Sequence, residues 1–483
     1  MNNKSITRNA FLNIIRSLLA LIAPLITYPY VSRVIGAENL GKINYVNSIV
    51  QYFVLFAALG ISTYGIREGA RLRQNRNKLN DFVSECFSIN LIMTLISISV
   101  LFFIILKFNF FDKYRFLFLI ESFLIIFDLF GIEWVNTIFE DYLYITIRTI
   151  IVYLISIVLT FILIKSRTDY YKYAILMVGT TGLVSVLNWM HCKKVCTIKI
   201  RFTNNSKCHI KPILIFFANK LAVNLYVSAD TTMLGAMVSD YRVGIYSVSV
   251  KIYSIIKNLL SSIYVVCIPR LAYKIGEKDE VGYRILYTNI VCIMTLLIFP
   301  AMLGLFLLSP NIILVLFGNE YIDSILSLRI LSFALVFAIY GGLISSVYNV
   351  TKRLEKVSLK ATILAAILNI SLNIFLIPKY QQNGAAITTV IAELVTLIYC
   401  CFNAKDIKKI IDKKALIKCI KDVLLGCIEV LFTILIFQKL ILNNFFCILL
   451  SVLVSICFYS ITLIITKNEF VILFISNIRK KIN

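Results

Sequence analysis

Apolar residues run in blocks of about 18 to 25 along almost the whole chain, broken by short polar segments where Lys and Arg gather. A block of that length crosses roughly 30 Å of hydrocarbon as one helix. The blocks fall at approximately 9–32, 43–65, 82–106, 116–139, 142–164, 171–190, 212–237, 245–268, 285–308, 325–350, 357–378, 383–403, 419–440 and 443–466. They predict an all-α integral membrane protein with about 14 transmembrane helices and too little remaining chain for a soluble domain. Composition agrees. The 483 residues are 59% hydrophobic and 15% charged, and mean hydropathy is +0.87, which excludes a water-soluble globular protein.

The formal charge of +24 would suggest a nucleic-acid partner in a soluble chain. In a polytopic one it marks the cytoplasmic loops. An even number of spans puts both termini on one side, and about 32 of the 49 basic residues lie on that side against about 11 on the other. The expected topology has both ends cytoplasmic. No cleavable signal peptide is evident, since the first block continues to Tyr30. All twelve cysteines fall in blocks or cytoplasmic loops, where they read as packing residues rather than disulfides.

Displacing the sequence by 203 residues lays Gly41 on Gly244 and Arg67 on Arg270, and brings Arg16 within one residue of Lys220. The eighth block carries Ser247, Lys251, Ser254 and Asn258 on one helical face. The same displacement finds Asn44, Ser48, Gln51 and Leu55 in the second block. Two lobes of six helices are expected, residues 1–200 and 201–410, related by a pseudo-two-fold axis along the membrane normal. Two further helices (411–466) and a tail (467–483) follow. The tail alternates apolar residues with Asn, Arg and Lys and reads as a cytoplasmic amphipathic helix.

Polar stripes also mark the first block (Asn9, Asn13, Arg16) and the seventh (Lys220, Asn224, Ser228, Thr231). A polar group facing lipid alone costs several kcal/mol, so such stripes face another helix or a wet cavity. Arg16, Lys220, Lys251 and Lys257 have no evident partner nearby in sequence. A cavity holding them would suit an anion, phosphate or pyrophosphate above all, with internal pairing as the competing reading. Glu133 and Arg148 sit at similar depth on consecutive spans and read as an ion pair, while Arg329 near an outer end could snorkel. Asp128, Asp230, Glu393 and Glu429 are further intramembrane carboxylates, candidates for structure or ion coupling. His191, Cys192, Cys196, Cys208 and His209 are metal-ligand types, but their spacing matches no familiar closed zinc site, so no metal is expected. No Walker A pattern and no large loop are present, so a single-chain ATP-driven pump is excluded. The two-lobe plan suggests secondary transport by alternating access, with no cofactor.

Certain strings resemble a known family. Pro24, Pro29, Tyr30, Ser32 and Arg33, Gly41, the run Gly60 to Arg67, Gly131-Ile-Glu-Trp134 and Arg148 resemble the N-terminal half of bacterial polysaccharide flippases of the Wzx type. Phe317-Gly-Asn-Glu-Tyr321, Leu328-Arg-Ile-Leu331, Asn369 through Asn373 to Pro378, Gly384-Ala-Ala386 and Glu393 are shared with the wider superfamily of flippases and multidrug exporters. The resemblance covers roughly residues 9–405. It implies a MATE-like fold in a bacterial inner membrane and a non-enzymatic transporter. The implied substrate is an undecaprenyl-pyrophosphate-linked oligosaccharide repeat unit, moved outward for O-antigen or capsule assembly. A polysaccharide polymerase and a chain-length regulator would be its working partners. Pyrophosphate would sit among the cations, and polar stripes would accommodate sugars. A multidrug exporter of the same fold should show a more acidic or apolar cavity, and a membrane glycan polymerase or ligase should carry a large outer loop. The longest outer loop here is about 16 residues (309–324).

Overall fold

The computed structural model describes residues 6–201, 203 and 206–468, and among them there is no strand. Of the amphipathic tail predicted over 467–483, residues 469–483 lie outside the described residues. Two compact units divide the chain within one helix, residues 1–244 and 245–483.

The first unit contains α1 (Ile6–Ala58), α2 (Ile61–Leu72), α3 (Arg76–Lys107), α4 (Arg115–Phe130), α5 (Glu133–Ile138), α6 (Tyr142–Leu163), α7 (Tyr170–Val195), α8 (Ser206–Met237) and the start of α9 (Asp240–Val265). In the second are the rest of α9, α10 (Ile268–Gly276), α11 (Glu280–Leu316), α12 (Ser324–Gly342), a π-helical turn (Leu343–Tyr348), α13 (Asn349–Thr351), α14 (Glu355–Asn403), α15 (Ile407–Ile410), α16 (Lys413–Leu440) and α17 (Asn444–Ile465). By length and composition, nine helical stretches among the described residues can cross a membrane, and a bent pair within α8 makes a tenth. Two of the nine are too long for one crossing. The 53 residues of α1 would reach about 80 Å, and α1 breaks at Gly36 (φ 79°, ψ 166°). The 49 residues of α14 break at Gln381 (φ 52°). Each supplies two of the predicted blocks.

Burial departs from that of a soluble protein, because large apolar side chains are also exposed outside and polar ones are enclosed beside the apolar core. Asn369, Asn373, Thr388, Thr295 and Ser309 are fully buried, whereas Phe103, Leu424, Phe432 and Phe402 are exposed. That is the arrangement hydrocarbon imposes, since apolar side chains meet it without cost and polar ones must be satisfied inside.

The second block was expected to continue to residue 65 but its helix stops at Ala58. Leu59 and Gly60 both take left-handed backbone (φ 45° and 76°), and the chain restarts as the separate helix α2. Short helices therefore follow both repeat-equivalent spans: α2 after α1, and α10 after α9. The break at Gly36 likewise corresponds, 203 residues on, to the α8–α9 break at Ser239. Within the first unit, residues that the 203-residue displacement relates meet reciprocally. A Cβ on Gly41 would stand 1.7 Å from the Asp240 carbonyl oxygen, and one on Gly244 would stand 1.9 Å from the Ala37 carbonyl oxygen. Residues 37 and 41 contact residues 240 and 244, their own equivalents, in exchanged order.

The segment after α7 lies along α3. Backbone N–H groups of Thr197, Lys199 and Arg201 donate to Asn80 Oδ1 (3.2 Å), Ser84 Oγ (3.1 Å) and Ser88 Oγ (2.8 Å). Four helical residues advance about 6 Å and two extended residues about 6.6 Å, so the two ladders stay in step.

Candidate functional site

The site is built on α1, α4, α5, α6 and α7 of the first unit. Glu133 begins α5, just past a break at Gly131 and Ile132 that interrupts the fourth block. The break places its carboxylate where two guanidinium groups reach it. Arg148 Nη2 donates to Glu133 Oε2 at 2.8 Å and Arg16 Nη2 lies 2.9 Å from Oε1. Arg148 is almost fully buried at 4% side-chain exposure, and it also contacts Asn188 Oδ1 and Thr149 Oγ1. Arg16 keeps 32% and Glu133 26%. One carboxylate between two guanidinium groups leaves one positive charge in excess at membrane depth.

Beside this network is a cavity of about 480 Å³, lined among others by Asn47, Gln51, Glu121, Asp128, Glu133 and Asn188. Glu121 is buried and accepts from Asn47 Nδ2 at 2.9 Å. Lys220 on α8 lies within electrostatic reach of Asp128. In the second unit Lys257 Nζ pairs with Glu393 Oε1 at 2.6 Å, and the Tyr253 hydroxyl donates to the same oxygen at 3.2 Å.

The structure brings together some of the nominated residues and separates others. The Glu133–Arg148 pair forms as read from depth. Arg16 and Lys257, which lack partners nearby in sequence, are both ion-paired with carboxylates more than a hundred residues away. Spare positive charge is correspondingly smaller than four free cations, and carboxylates share the cavity lining. Gln51 faces that cavity. Ser48 does not: it is buried and receives a hydrogen bond from Thr232 on α8 (2.8 Å), so there the stripe joins helices. Asn44 donates to the Tyr28 hydroxyl (3.3 Å), and the Ser228 carbonyl accepts from Thr232. Asn224 Oδ1 is buried with no hydrogen-bond partner among the described residues. Asp230 is buried, Lys251 and Ser254 are half-buried, and Asn258 is exposed. The Asn9 and Asn13 side chains lie outside the described residues. Arg329 is half-buried; its Nε donates to Ser309 Oγ (3.1 Å) and its guanidinium lies over the Phe306 ring. Glu429 is held by the Thr462 hydroxyl.

Sequence reading passed over Glu121, Glu85 and Asn188. For the two carboxylates the available signal was a charge inside an apolar run. The metal-type residues take other partners. His209 bridges the Tyr64 hydroxyl (Nδ1, 2.7 Å) and Glu85 (Nε2, 2.9 Å). His191 stacks on Tyr144 and meets Asn136 and Asp141. Among the described residues no three His, Cys, Asp or Glu converge as metal ligands.

Comparison with known proteins gives concordant matches. Residues 6–273 match the family model for polysaccharide biosynthesis proteins, and residues 151–455 that for the lipid II flippase MurJ. A protein named for O-antigen transport in Escherichia coli (strain K12) is 24% identical over 422 residues, covering 83% of this chain and 97% of that one. The capsular polysaccharide biosynthesis protein CapF of Staphylococcus aureus is 26% identical over 373 residues, 75% of this chain and 89% of its own. Among solved structures, the inward closed conformation of lipid II flippase MurJ superposes with a TM-score of 0.76 at 17% identity, over 96% of this chain and 99% of that one. An inward-facing multidrug transporter of the MATE family gives 0.61 at 14% identity, over 82% and 99%. With each family model matching more than half its length, the chain belongs to the polysaccharide biosynthesis protein family and has the fold of the lipid II flippase MurJ.

Proposed function

We propose that the protein moves undecaprenyl-pyrophosphate-linked oligosaccharide repeat units from the cytoplasmic to the outer leaflet of a bacterial inner membrane, by alternating access, for O-antigen or capsule synthesis. The observation that carries this reading is the pair of guanidinium groups on Glu133 beside a polar intramembrane cavity. Their roles differ with their burial. Arg148, enclosed and bonded to Asn188 and Thr149, fixes the carboxylate. Arg16, more open, is the exchangeable partner: its planar fork can trade a carboxylate for a pyrophosphate oxygen pair with one charge-assisted contact replacing another. Lys257, 31% exposed on a buried Glu393, has the same form in the second unit. Lys220 and Lys251 add cationic character, and Asn44, Gln51, Asn224, Ser228, Ser254 and Asn258 offer polar contacts to sugars. The prenyl chain has a matching surface in the second unit, an apolar groove of about 410 Å³ on α11, α16 and α17.

Asp128 and Glu121 on the cavity wall favour a second reading, export of lipophilic cations by the same fold. One assay separates the two. In proteoliposomes containing only this protein, a labelled lipid-linked oligosaccharide should change leaflet, and Arg16→Gln should stop it while Arg16→Lys retains part. Transport of a cationic dye with no movement of the labelled lipid would overturn the flippase reading.

A further inference from the structure

The second unit holds a cavity of about 620 Å³, outside the intramembrane site, where the segments following α10, α13 and α14 meet. Five cations line it: Lys274, Lys278, Arg284, Lys352 and Lys409. Three carboxylates are also present, and their commitments decide the balance. Asp279 already pairs with Lys274 (2.8 Å) and caps α11 through the Gly282 N–H (2.7 Å). Glu280 and Asp406 remain against Lys278, Arg284, Lys352 and Lys409, and among the described residues those four make no ion pair. Convergence of like charge around a concavity is unfavourable unless an anion completes it.

The wall is not simply solvated. Tyr283 is buried, its hydroxyl bonded to Thr351 Oγ1 (3.0 Å), and the Lys352 ammonium lies 5.1 Å from the centroid of its ring. Lys278 holds left-handed backbone (φ 59°) in the turn before α11, a conformation that glycine adopts at lower cost. Large apolar residues lie in the wall and beside it: Val281 lines the cavity, and Tyr273 and Ile285 are chain neighbours of the lining residues Lys274 and Arg284. Tyr273, Val281 and Ile285 are all more than half exposed, Val281 and Ile285 one turn apart on α11. A cationic concavity edged by exposed apolar side chains has the two halves that an amphiphile with an anionic head requires.

We propose that this cavity binds the phosphate group of a membrane lipid, its oxygens among Lys278, Arg284, Lys352 and Lys409 and its acyl or prenyl chain against Val281 and Ile285. The inference does not depend on the transport reading. Two lipids carry the chemistry, a bulk anionic phospholipid and a polyprenyl pyrophosphate.

The test is lipid retention by the full-length detergent-solubilised protein, read by native mass spectrometry. Phosphatidylglycerol, phosphatidylcholine and undecaprenyl pyrophosphate are offered in separate arms, with inorganic pyrophosphate as competitor. The wild type should retain at least one anionic lipid about tenfold better than phosphatidylcholine, a difference of about 1.4 kcal/mol. Whichever is retained identifies the source, and inorganic pyrophosphate should displace it. The triple variant Lys278→Gly, Lys352→Gln, Lys409→Gln should lose the preference. Lys278→Gly alone should weaken it while leaving the thermal midpoint unchanged or higher, since glycine relieves the turn. Equal retention of all lipids by wild type and Lys278→Gly would overturn the proposal.

Discussion

Glu133 accepts from two guanidinium groups at once, so its loss should cost more than the loss of either arginine. Glu133→Gln leaves Arg148 charged and buried without a counter-ion, a penalty on the order of 3 kcal/mol. Arg148→Gln should be nearly as damaging. The double variant should be less destabilised than the two single effects combined, and thermal midpoints of the four proteins measure this coupling. Strictly additive losses would contradict the pairing. Asp279 offers a test in pH. The Lys274 ammonium beside it, together with the Gly282 N–H, holds its carboxyl below the usual range. A carboxyl lowered on folding stabilises the fold above its unfolded value, near 4, and that contribution fades as pH falls. The difference in thermal midpoint between wild type and Asp279→Asn should therefore narrow between pH 6 and pH 3. At this scale the sequence was legible only where depth sufficed. Glu133 and Arg148 lie on consecutive elements, so counting residues from the membrane edge brings them level. Arg16 and Lys257 find partners through packing that no local spacing encodes.

Helices were legible because lipid enforces them: every uninterrupted apolar block returns as helix. Their ends were less so. The residues around Leu59 and Gly60 are as apolar as those before them, and only their left-handed backbone separates α1 from α2. The extended segment after α7 was equally hidden, since Asn80, Ser84 and Ser88 read as an ordinary polar face until the N–H groups of residues 197, 199 and 201 are found on it. The crossing of α1 and α9 gives the sharpest test at this scale. Gly41→Leu or Gly244→Leu would drive a side chain into a carbonyl that already stands within 2 Å of the ideal Cβ position. Either should abolish glycan export and lower the thermal midpoint, whereas Gly179→Leu, where a Cβ meets nothing within 4 Å, should be tolerated. Export surviving Gly41→Leu would mean that the helices part without consequence.

For the whole molecule, the basic-residue asymmetry predicts both termini in the cytoplasm. On a cysteine-free background, Leu442→Cys in the exposed turn between α16 and α17 should label from outside intact cells, and Lys278→Cys only after permeabilisation. The reverse pattern would invert the topology. Energy coupling follows from charge. A pyrophosphate moving outward is favoured by an inside-negative potential by about 2.3 kcal/mol per charge per 100 mV, and return of the empty cationic site inward is favoured likewise. Flipping should then respond to a potassium diffusion potential with no pH or sodium gradient. Dependence on a pH gradient that disappears in Asp128→Asn or Glu393→Gln would assign coupling to ion exchange. The reciprocal contact of Gly41 with residue 240 and Gly244 with residue 37 has a bearing on descent. Contact of i with j′ and of i′ with j is what two identical chains make across a two-fold axis. A half-length ancestor of about 200 residues would have made both contacts with a single glycine codon, each copy serving the other. Fusion of two such copies into one gene would divide that codon in two. A chain of that descent would hold two separate positions, Gly41 and Gly244, at either of which one substitution blocks the same crossing, and so would carry twice the mutational target there.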